Sequence, residues 1–400
     1  MSLTEPVHGQ TALRAANRRR VLDLLRGSSE RHPVVAPGAP SGPDDTGFTQ
    51  AEMARISGLA PATVSSIVKD LAGSGLVEVS AGGGRRGSTV RLAAGAGHLV
   101  AVDFGHSHLA VAVGDAAGRP LAEARRPMPP AHPHQQALAE ARTMLDELLE
   151  SVAPAPLLGA TLGLPAPITD DVVGSAAIFP GWEGVNAREV GEAALGVAAV
   201  VENDANLGAL AEQRVGAASG SSSCVVVKIS SGVGAGIVLD GHIWRGATGS
   251  AGELGHLTLD EQGPLCRCGS RGCLEAYASV TAVRALMAEQ LPDADIAHIV
   301  EAARAGSVAA RRAFEDAGLH LGWGLAGIAT LVNPDVLVIG GDLARAGDLV
   351  LEPARTGLRR HAIDAVAGTP VLASSLGGRA SLLGGLLLAA ESTDLLALEG

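Results

Sequence analysis

Four hundred residues are too many for one small core and imply two or three compact units. No uninterrupted apolar run of about 18 residues occurs and no charged-then-apolar leader is visible, so the sequence predicts a soluble cytoplasmic protein without a membrane partner. The net charge of -12 argues against a chain wholly devoted to nucleic acid, but it is unevenly spread: residues 1–95 hold 11 Lys+Arg against 8 Asp+Glu, the remainder 19 against 34. Only the N-terminal part suits a phosphate backbone.

Residues 10–26 place Leu13, Ala16, Val21, Leu24 and Leu25 on one helical face, with Arg14, Arg18, Arg19 and Arg20 around the rest. From Gly27 to Gly47 the composition turns to Ser, Pro, Gly and Asp, which marks residues 28–48 as a flexible insertion. Thr49 caps a short helix through Ala51, Met53, Ala54 and Ile56, Gly58 stops it, and Pro61 opens the next. In that second helix Val64, Ile67, Val68 and Leu71 share one face. Ala62, Thr63, Ser65, Ser66 and Lys69 are left outward, short and polar, as a helix read against the major groove requires. Strands at Leu76–Val79 and Thr89–Leu92 flank the Gly-rich tip Gly82–Gly87, whose Arg85 and Arg86 are candidates for phosphate or minor-groove contact. The pattern predicts a winged helix-turn-helix over residues 1–95; a packing module or protein-binding surface is the plainer alternative.

Beyond residue 96, strands and helices alternate to the end, implying α/β layers. Strands are expected at Leu99–Phe104, Leu109–Val113, Leu158–Leu162, Ala198–Val201, Val225–Ile229, Ala235–Leu239, Val336–Ile339 and Val371–Ala373. Helices are expected at 135–152, 205–217, 276–291, 307–331 and 348–361. Gly-rich turns after strands put ligands at the carboxyl edges of the sheet.

The strongest chemical signal is His256 followed by Cys266, Cys268 and Cys273: three of the chain's four cysteines lie within eight residues. Glycines at 269 and 272 permit a tight knuckle that turns the thiolates toward one tetrahedral Zn²⁺, a structural ion held one per chain. Reduced, unliganded cysteines on a loop are the alternative. Cys224 opens an apolar strand and reads as an ordinary buried cysteine.

Gly-Leu-Pro-Ala-Pro at 163–167, Glu-Asn-Asp-Ala-Asn at 202–206, Ser-Gly-Val-Gly-Ala-Gly at 231–236, Gly-Glu-Leu-Gly-His at 252–256, the knuckle ending in Glu275, and Ile-Gly-Gly-Asp at 339–342 together resemble the ROK family of repressors, open reading frames and kinases. The resemblance implies an actin-like, ribonuclease H-like two-lobed sugar-kinase fold over 96–400, a sugar in the cleft, and a homodimer or homotetramer. It also implies that Asn203, Asp204, Glu253, His256 and Glu275 hold the sugar hydroxyls. Carboxylates and an amide suit vicinal hydroxyls, and His256 has one ring nitrogen for the metal and one for the sugar. Taken singly, each of these residues reads equally well as a cap or a solvated group. Trp182 is a further candidate to flank the sugar, or else a packing residue.

In the family's kinases the residue matching Asp204 is the general base, and Gly-rich turns like those at Gly232–Gly236 and Gly340–Gly341 hold the phosphates of ATP. Their first phosphate loop, Asp-x-Gly-Gly-Thr-Lys, is here Asp103-Phe104-Gly105-His106-Ser107-His108. The ring at 106 obstructs backbone approach and the ammonium at 108 is lost, which argues against ATP and Mg²⁺. The expectation is therefore a non-enzymatic, sugar-responsive repressor that releases or binds an inverted-repeat operator. A glucokinase-like enzyme with an appended DNA module, and a regulator answering to a protein partner, are the other readings.

Overall fold

The computed structural model describes residues 7–27, 47–80, 88–129, 132–174 and 179–396, with side chains from residue 13 onward. Its N-terminal elements are helix α1 (Val7–Arg26), strand β1 (Phe48–Thr49), helices α2 (Gln50–Ser57) and α3 (Pro61–Gly73), and strands β2 (Val77–Ser80) and β3 (Thr89–Leu92). Thr49 and Glu52 form a reciprocal capping box at the start of α2: the Thr49 N–H donates to Glu52 Oε2 at 2.8 Å and the Glu52 N–H to Thr49 Oγ1 at 3.2 Å. Gly58 ends α2 with φ of 68°, and Pro61 begins α3. The three strands pair antiparallel in the order β1-β3-β2.

The sequence expectation for α1 needs one correction. Val21 and Leu25 are buried, as is Leu22, but Leu13 is 62% exposed and Ala16 is also exposed. Among the described side chains of α1, the buried ones lie in its last turns, so the apolar positions Leu13 and Ala16 do not report burial.

The larger region starts with β4 (His98–Phe104), β5 (His108–Asp115), β6 (Pro120–Pro127), α4 (His134–Ser151), β7 (Leu157–Leu164), the two-residue strands β8 (Ile168–Thr169) and β9 (Val172–Val173), α5 (Ala187–Leu195), β10 (Ala199–Asn203) and α6 (Asp204–Val215). It continues with β11 (Ser223–Ile229), β12 (Val233–Leu239), β13 (His242–Ile243), α7 (Glu275–Ala278), α8 (Val280–Met287), α9 (Ile296–Arg304) and α10 (Val308–Val332). The last elements are β14 (Val336–Gly340), α11 (Asp348–His361), α12 (Asp364–Ala367), β15 (Val371–Ala373) and α13 (Ala380–Ser392). The single helix expected over 276–291 is two helices, because Ser279 leaves the helix and accepts the Ala282 N–H as the cap of α8.

Two five-stranded sheets share one topology. The first runs β10-β7-β4-β5-β6 and the second β13-β12-β11-β14-β15. In each, three consecutive strands form an antiparallel meander and two later strands add in parallel on the far side of the first. This repeated unit gives the actin-like, two-lobed arrangement. The C-terminal edges of β7, β10 and β11 carry Pro165, Asn203 and Lys228 to one cleft, and the turn after β4 adds His106, as sheet topology places ligand sites.

Helix α13 joins the parts. Near its first turn the Ser381 hydroxyl donates to the Asp204 carbonyl at 2.9 Å, and at its far end Thr393 offers its carbonyl to Arg26 Nη2 at 2.6 Å while Asp394 pairs with Arg19. Leu382, Leu386 and Leu395 share one apolar core with Val21, Leu22 and Leu25 of α1 and with Leu99 and Ala101 of β4. No helix among the described residues is long and apolar enough to cross a membrane.

Candidate functional site

The cleft is lined by Asn203, Asp204, Glu253, His256 and Glu275, so all five residues expected at the sugar meet in one place. Asn203 and Asp204 come from the β10–α6 junction, and Glu275 from the start of α7. Glu253 and His256 come from a single turn of 3-10 helix held against β12, where Gly252, at φ of 92°, lies against the Ala235 carbonyl and accepts no side chain.

The five are not equally available. Asn203 Oδ1 accepts the Ala205 N–H at 2.9 Å and the Asn206 N–H at 3.3 Å, capping α6, and its Nδ2 donates to Ala166 O at 3.2 Å. It retains one donor hydrogen for a ligand. Asp204 is paired with Lys228 at 2.6 Å, and Glu275 with Arg267 through Nε at 2.7 Å. Glu253 is the acid without a close counter-ion: burial, and then Asp204 and Glu275, push its carboxyl above the usual range despite His256, whose Nε2 lies 3.9 Å away.

Lys228 was not singled out in the sequence, although a lysine inside the apolar strand Cys224–Ile229 was the available signal. Burial works against its charge, but Asp204 and Asp103 outweigh burial and raise its pKa above the ordinary value. The ammonium also donates to Ser381 Oγ at 3.1 Å. Asp103 is held below the usual carboxylate range, against the cost of its burial, by Lys228 and by His108. Arg267 and His106 also line the cleft, and the sequence reading did not assign either to the sugar.

The cysteine knuckle closes one wall. The ligand atoms of His256, Cys266, Cys268 and Cys273 all lie within 4.8 Å of one another. Cys266 Sγ is 3.7 Å from His256 Nδ1, and Cys268 Sγ is 3.7 Å from Cys273 Sγ. A Zn–S bond of about 2.3 Å places tetrahedral corners about 3.8 Å apart, so the set fits that coordination. Nδ1 faces the thiols and Nε2 faces Glu253 and the cleft, the division of labour expected of His256. Without a cation, burial and the neighbouring thiols push Cys273 up to about 12. Cys224 is buried in its strand, its thiol also pushed up to about 12, chiefly by burial.

On α3, Val64, Ile67, Val68 and Leu71 are buried, Ala62, Ser65, Ser66 and Lys69 are exposed, and Thr63 is half-buried. Arg85 and Arg86 lie outside the described residues. Trp182 is fully buried against Phe104 and Phe179, so it packs the first lobe and does not flank a sugar.

A profile of the ROK family matches residues 99–392. The chain belongs to the ROK family. Over 364 residues it is 29% identical to a putative xylose repressor of Caldicellulosiruptor sp. (strain Rt8B.4), covering 85% of this chain and 91% of that one. A crystal structure of a ROK family transcriptional regulator, a homolog of the E. coli MLC protein, superposes with a TM-score of 0.78 at 22% identity, over 97% of this chain and 98% of the other, which establishes a shared fold. A ROK family glucokinase from Streptomyces griseus, solved with glucose and AMPPNP, matches with a TM-score of 0.65 at 30% identity, covering 74% of this chain and all of that one.

In this ROK chain the first phosphate loop is filled by its own residues. The His108 ring lies over Gly105, where a Cβ would collide with it, and its Nε2 is 3.2 Å from Asp103 Oδ2. His106 lines the cleft edge-on to Phe179, its pKa lowered first by burial and then by Arg267. Of the Gly-rich turns, Gly236 packs β12 onto α6 and Gly341 lies against Ile229, so both serve tight packing.

Proposed function

We propose that this chain is a sugar-responsive transcriptional repressor, built from a winged helix-turn-helix over residues 1–95 and a sensor domain over 96–400. The observation that carries this reading is that α13 and the two residues after it touch both ends: Ser381 bonds to Asp204 and Lys228 in the cleft, while Thr393 and Asp394 engage Arg26 and Arg19 of α1. The likeness to a putative xylose repressor over most of both chains supports it.

In this reading α3 enters the major groove with Ala62, Thr63, Ser65, Ser66 and Lys69 toward the DNA, and Arg85 and Arg86 of the wing add backbone or minor-groove contact. Asn203, Asp204, Glu253, His256 and Glu275 hold the sugar. His256, Cys266, Cys268 and Cys273 hold one structural Zn²⁺, which orients His256 toward the ligand. The functional unit is a homodimer or homotetramer on an inverted-repeat operator. Sugar binding draws the lobes together, displaces the first turn of α13, and so shifts α1 and the paired recognition helices. A differential affinity of about 1–3 kcal/mol between the two states changes operator binding about 5- to 150-fold.

The ROK glucokinase likeness and the retained Asp204 favour a second reading, an ATP-dependent sugar kinase with a DNA module. The first phosphate loop, over which the His108 ring packs, weighs against it. Operator binding followed by fluorescence anisotropy at fixed ionic strength, titrated with D-xylose and D-glucose, tests the repressor reading. A sugar-dependent change in affinity supports it; tight sugar binding with no change in operator affinity overturns it.

A further inference from the structure

We infer that Arg267 is a ligand-positioning residue of the cleft, through which the metal knuckle sets sugar affinity and specificity. The inference rests on the sugar-sensing reading and goes beyond it. Arg267 stands between the metal-site residues Cys266 and Cys268, on a loop tightened by the Gly269 N–H to Cys266 O bond of 3.0 Å and the Cys266 N–H to Ser270 O bond of 2.8 Å. Its side chain leaves the knuckle and enters the cleft. There Nη2 donates to Glu275 Oε2 at 3.0 Å, and Nε lies 2.7 Å from Glu275 Oε1 in an ion pair.

The surroundings are shaped for that pair. Gly232 lies so close that a Cβ there would strike both Arg267 Nη2 and Glu275 Oε2, so any other residue would push the guanidinium off the turn. The Val233 N–H donates to Glu275 Oε2 at 3.0 Å, and Glu275 is buried. Two acceptor positions of this carboxylate, both on Oε2, are thereby filled, and Oε1 is held beside Arg267 Nε by the ion pair. Oε1 is left to accept a ligand hydroxyl, in an orientation that these contacts fix. Among the described residues Nη1 of Arg267 has no protein acceptor, so its hydrogens are left for an oxygen of the same ligand.

A freely rotating glutamate would accept hydroxyls of several sugars; one held by two hydrogen bonds and an ion pair favours a hydroxyl in one direction. A buried donor or acceptor left unpaired by the wrong sugar is what makes such a site discriminate. Because the arginine is carried on the loop that holds two thiolates, losing the metal would free the loop and release Glu275.

The test uses full-length, zinc-loaded protein and the variants Arg267→Ala and Arg267→Lys, with zinc measured by metal analysis and binding of D-xylose and D-glucose by calorimetry. The wild type is expected to bind one of the two sugars at least tenfold more tightly than the other. Arg267→Ala should lose tenfold or more in affinity for the preferred sugar and narrow the ratio between the two, with zinc still at one per chain. Arg267→Lys, which keeps the charge but not the fork, should recover part of the affinity and little of the ratio. Chelation should weaken sugar binding by wild type through both Glu275 and His256, and by a smaller factor in Arg267→Ala, where only the His256 route remains; an equal factor in both proteins would exclude Arg267 as a route from the knuckle. Unchanged affinity and ratio in Arg267→Ala, or loss of zinc from it, would overturn the inference. Failure of wild type to bind either sugar would instead bring down the sugar-sensing reading beneath it.

Discussion

Replacing Lys228 by Met leaves Asp204 and Asp103 facing one another without their shared cation. At 2.6 Å the gross attraction between Lys228 and Asp204 is about 6 kcal/mol for an effective dielectric constant of about 20. Desolvation of both ions returns several kcal/mol of that, and Lys228 is partly open to solvent, its side chain being 25% exposed. Removing the lysine should cost about 3–4 kcal/mol, because it strands a carboxylate in the cleft floor. Asp204→Asn should cost less, about 1–2 kcal/mol, since Lys228 keeps Asp103 as a neighbour. The double variant should then cost only about 3 kcal/mol, giving a coupling of about 2 kcal/mol in the cycle. Urea unfolding of the four proteins, followed by tryptophan fluorescence and circular dichroism, measures it. Because the folded pKa of Lys228 is raised, its contribution is complete below its ordinary value of 10.5 and is lost only as pH rises through the folded value. The coupling should therefore be the same at pH 6 and pH 8. Additive single-variant costs, or a coupling that disappears between those two pH values, would refute the assignment of Lys228 as the counter-ion of Asp204.

Chelation, or Cys273→Ser, should release one zinc per chain and lower the melting temperature; a metal content near zero in protein purified without chelator would contradict the zinc assignment. Lys69→Ala should weaken binding to all DNA sequences about equally and reduce the slope of log affinity against log salt by about one, whereas a loss confined to one base position would assign Lys69 to base reading instead. Arg26→Ala, which removes the bond to the Thr393 carbonyl, should shrink the effect of sugar on operator affinity while leaving sugar affinity unchanged; an unaltered sugar effect would exclude this route of coupling. Thr49→Ala should cost about 1 kcal/mol of stability by opening the capping box, read as a shift in the urea midpoint.

The parts of the site that follow from fixed local chemistry were legible in the sequence. Ala62, Ser65, Ser66 and Lys69, opposite an apolar row, are exposed on α3 as the pattern predicts, and Thr63 is half-buried. The spacing of Cys266, Cys268 and Cys273 after His256 placed four ligand atoms together. Helix α13 was missed because Ala-Ser-Leu-Leu-Gly-Gly-Leu-Leu-Leu-Ala-Ala has no polar face: it is covered on one side by the first sheet and on another by α6, so no 3.6-residue period survives. Strand β6 has prolines at both ends and charges along an edge, which read as a loop. The pairing of Asp204 with Lys228 and of Glu275 with Arg267 joins residues brought together only by the sheets and the knuckle, so no spacing rule announces it.

In the proposed function, ligand occupancy of the cleft is read out at the DNA. This readout is tested most directly by operator binding of zinc-loaded protein, titrated with D-xylose and D-glucose at constant ionic strength while ATP consumption is followed in parallel. One sugar is expected to change operator affinity at least about 5-fold with no ATP turnover. Sugar-dependent ATP turnover without any change in operator affinity would contradict it.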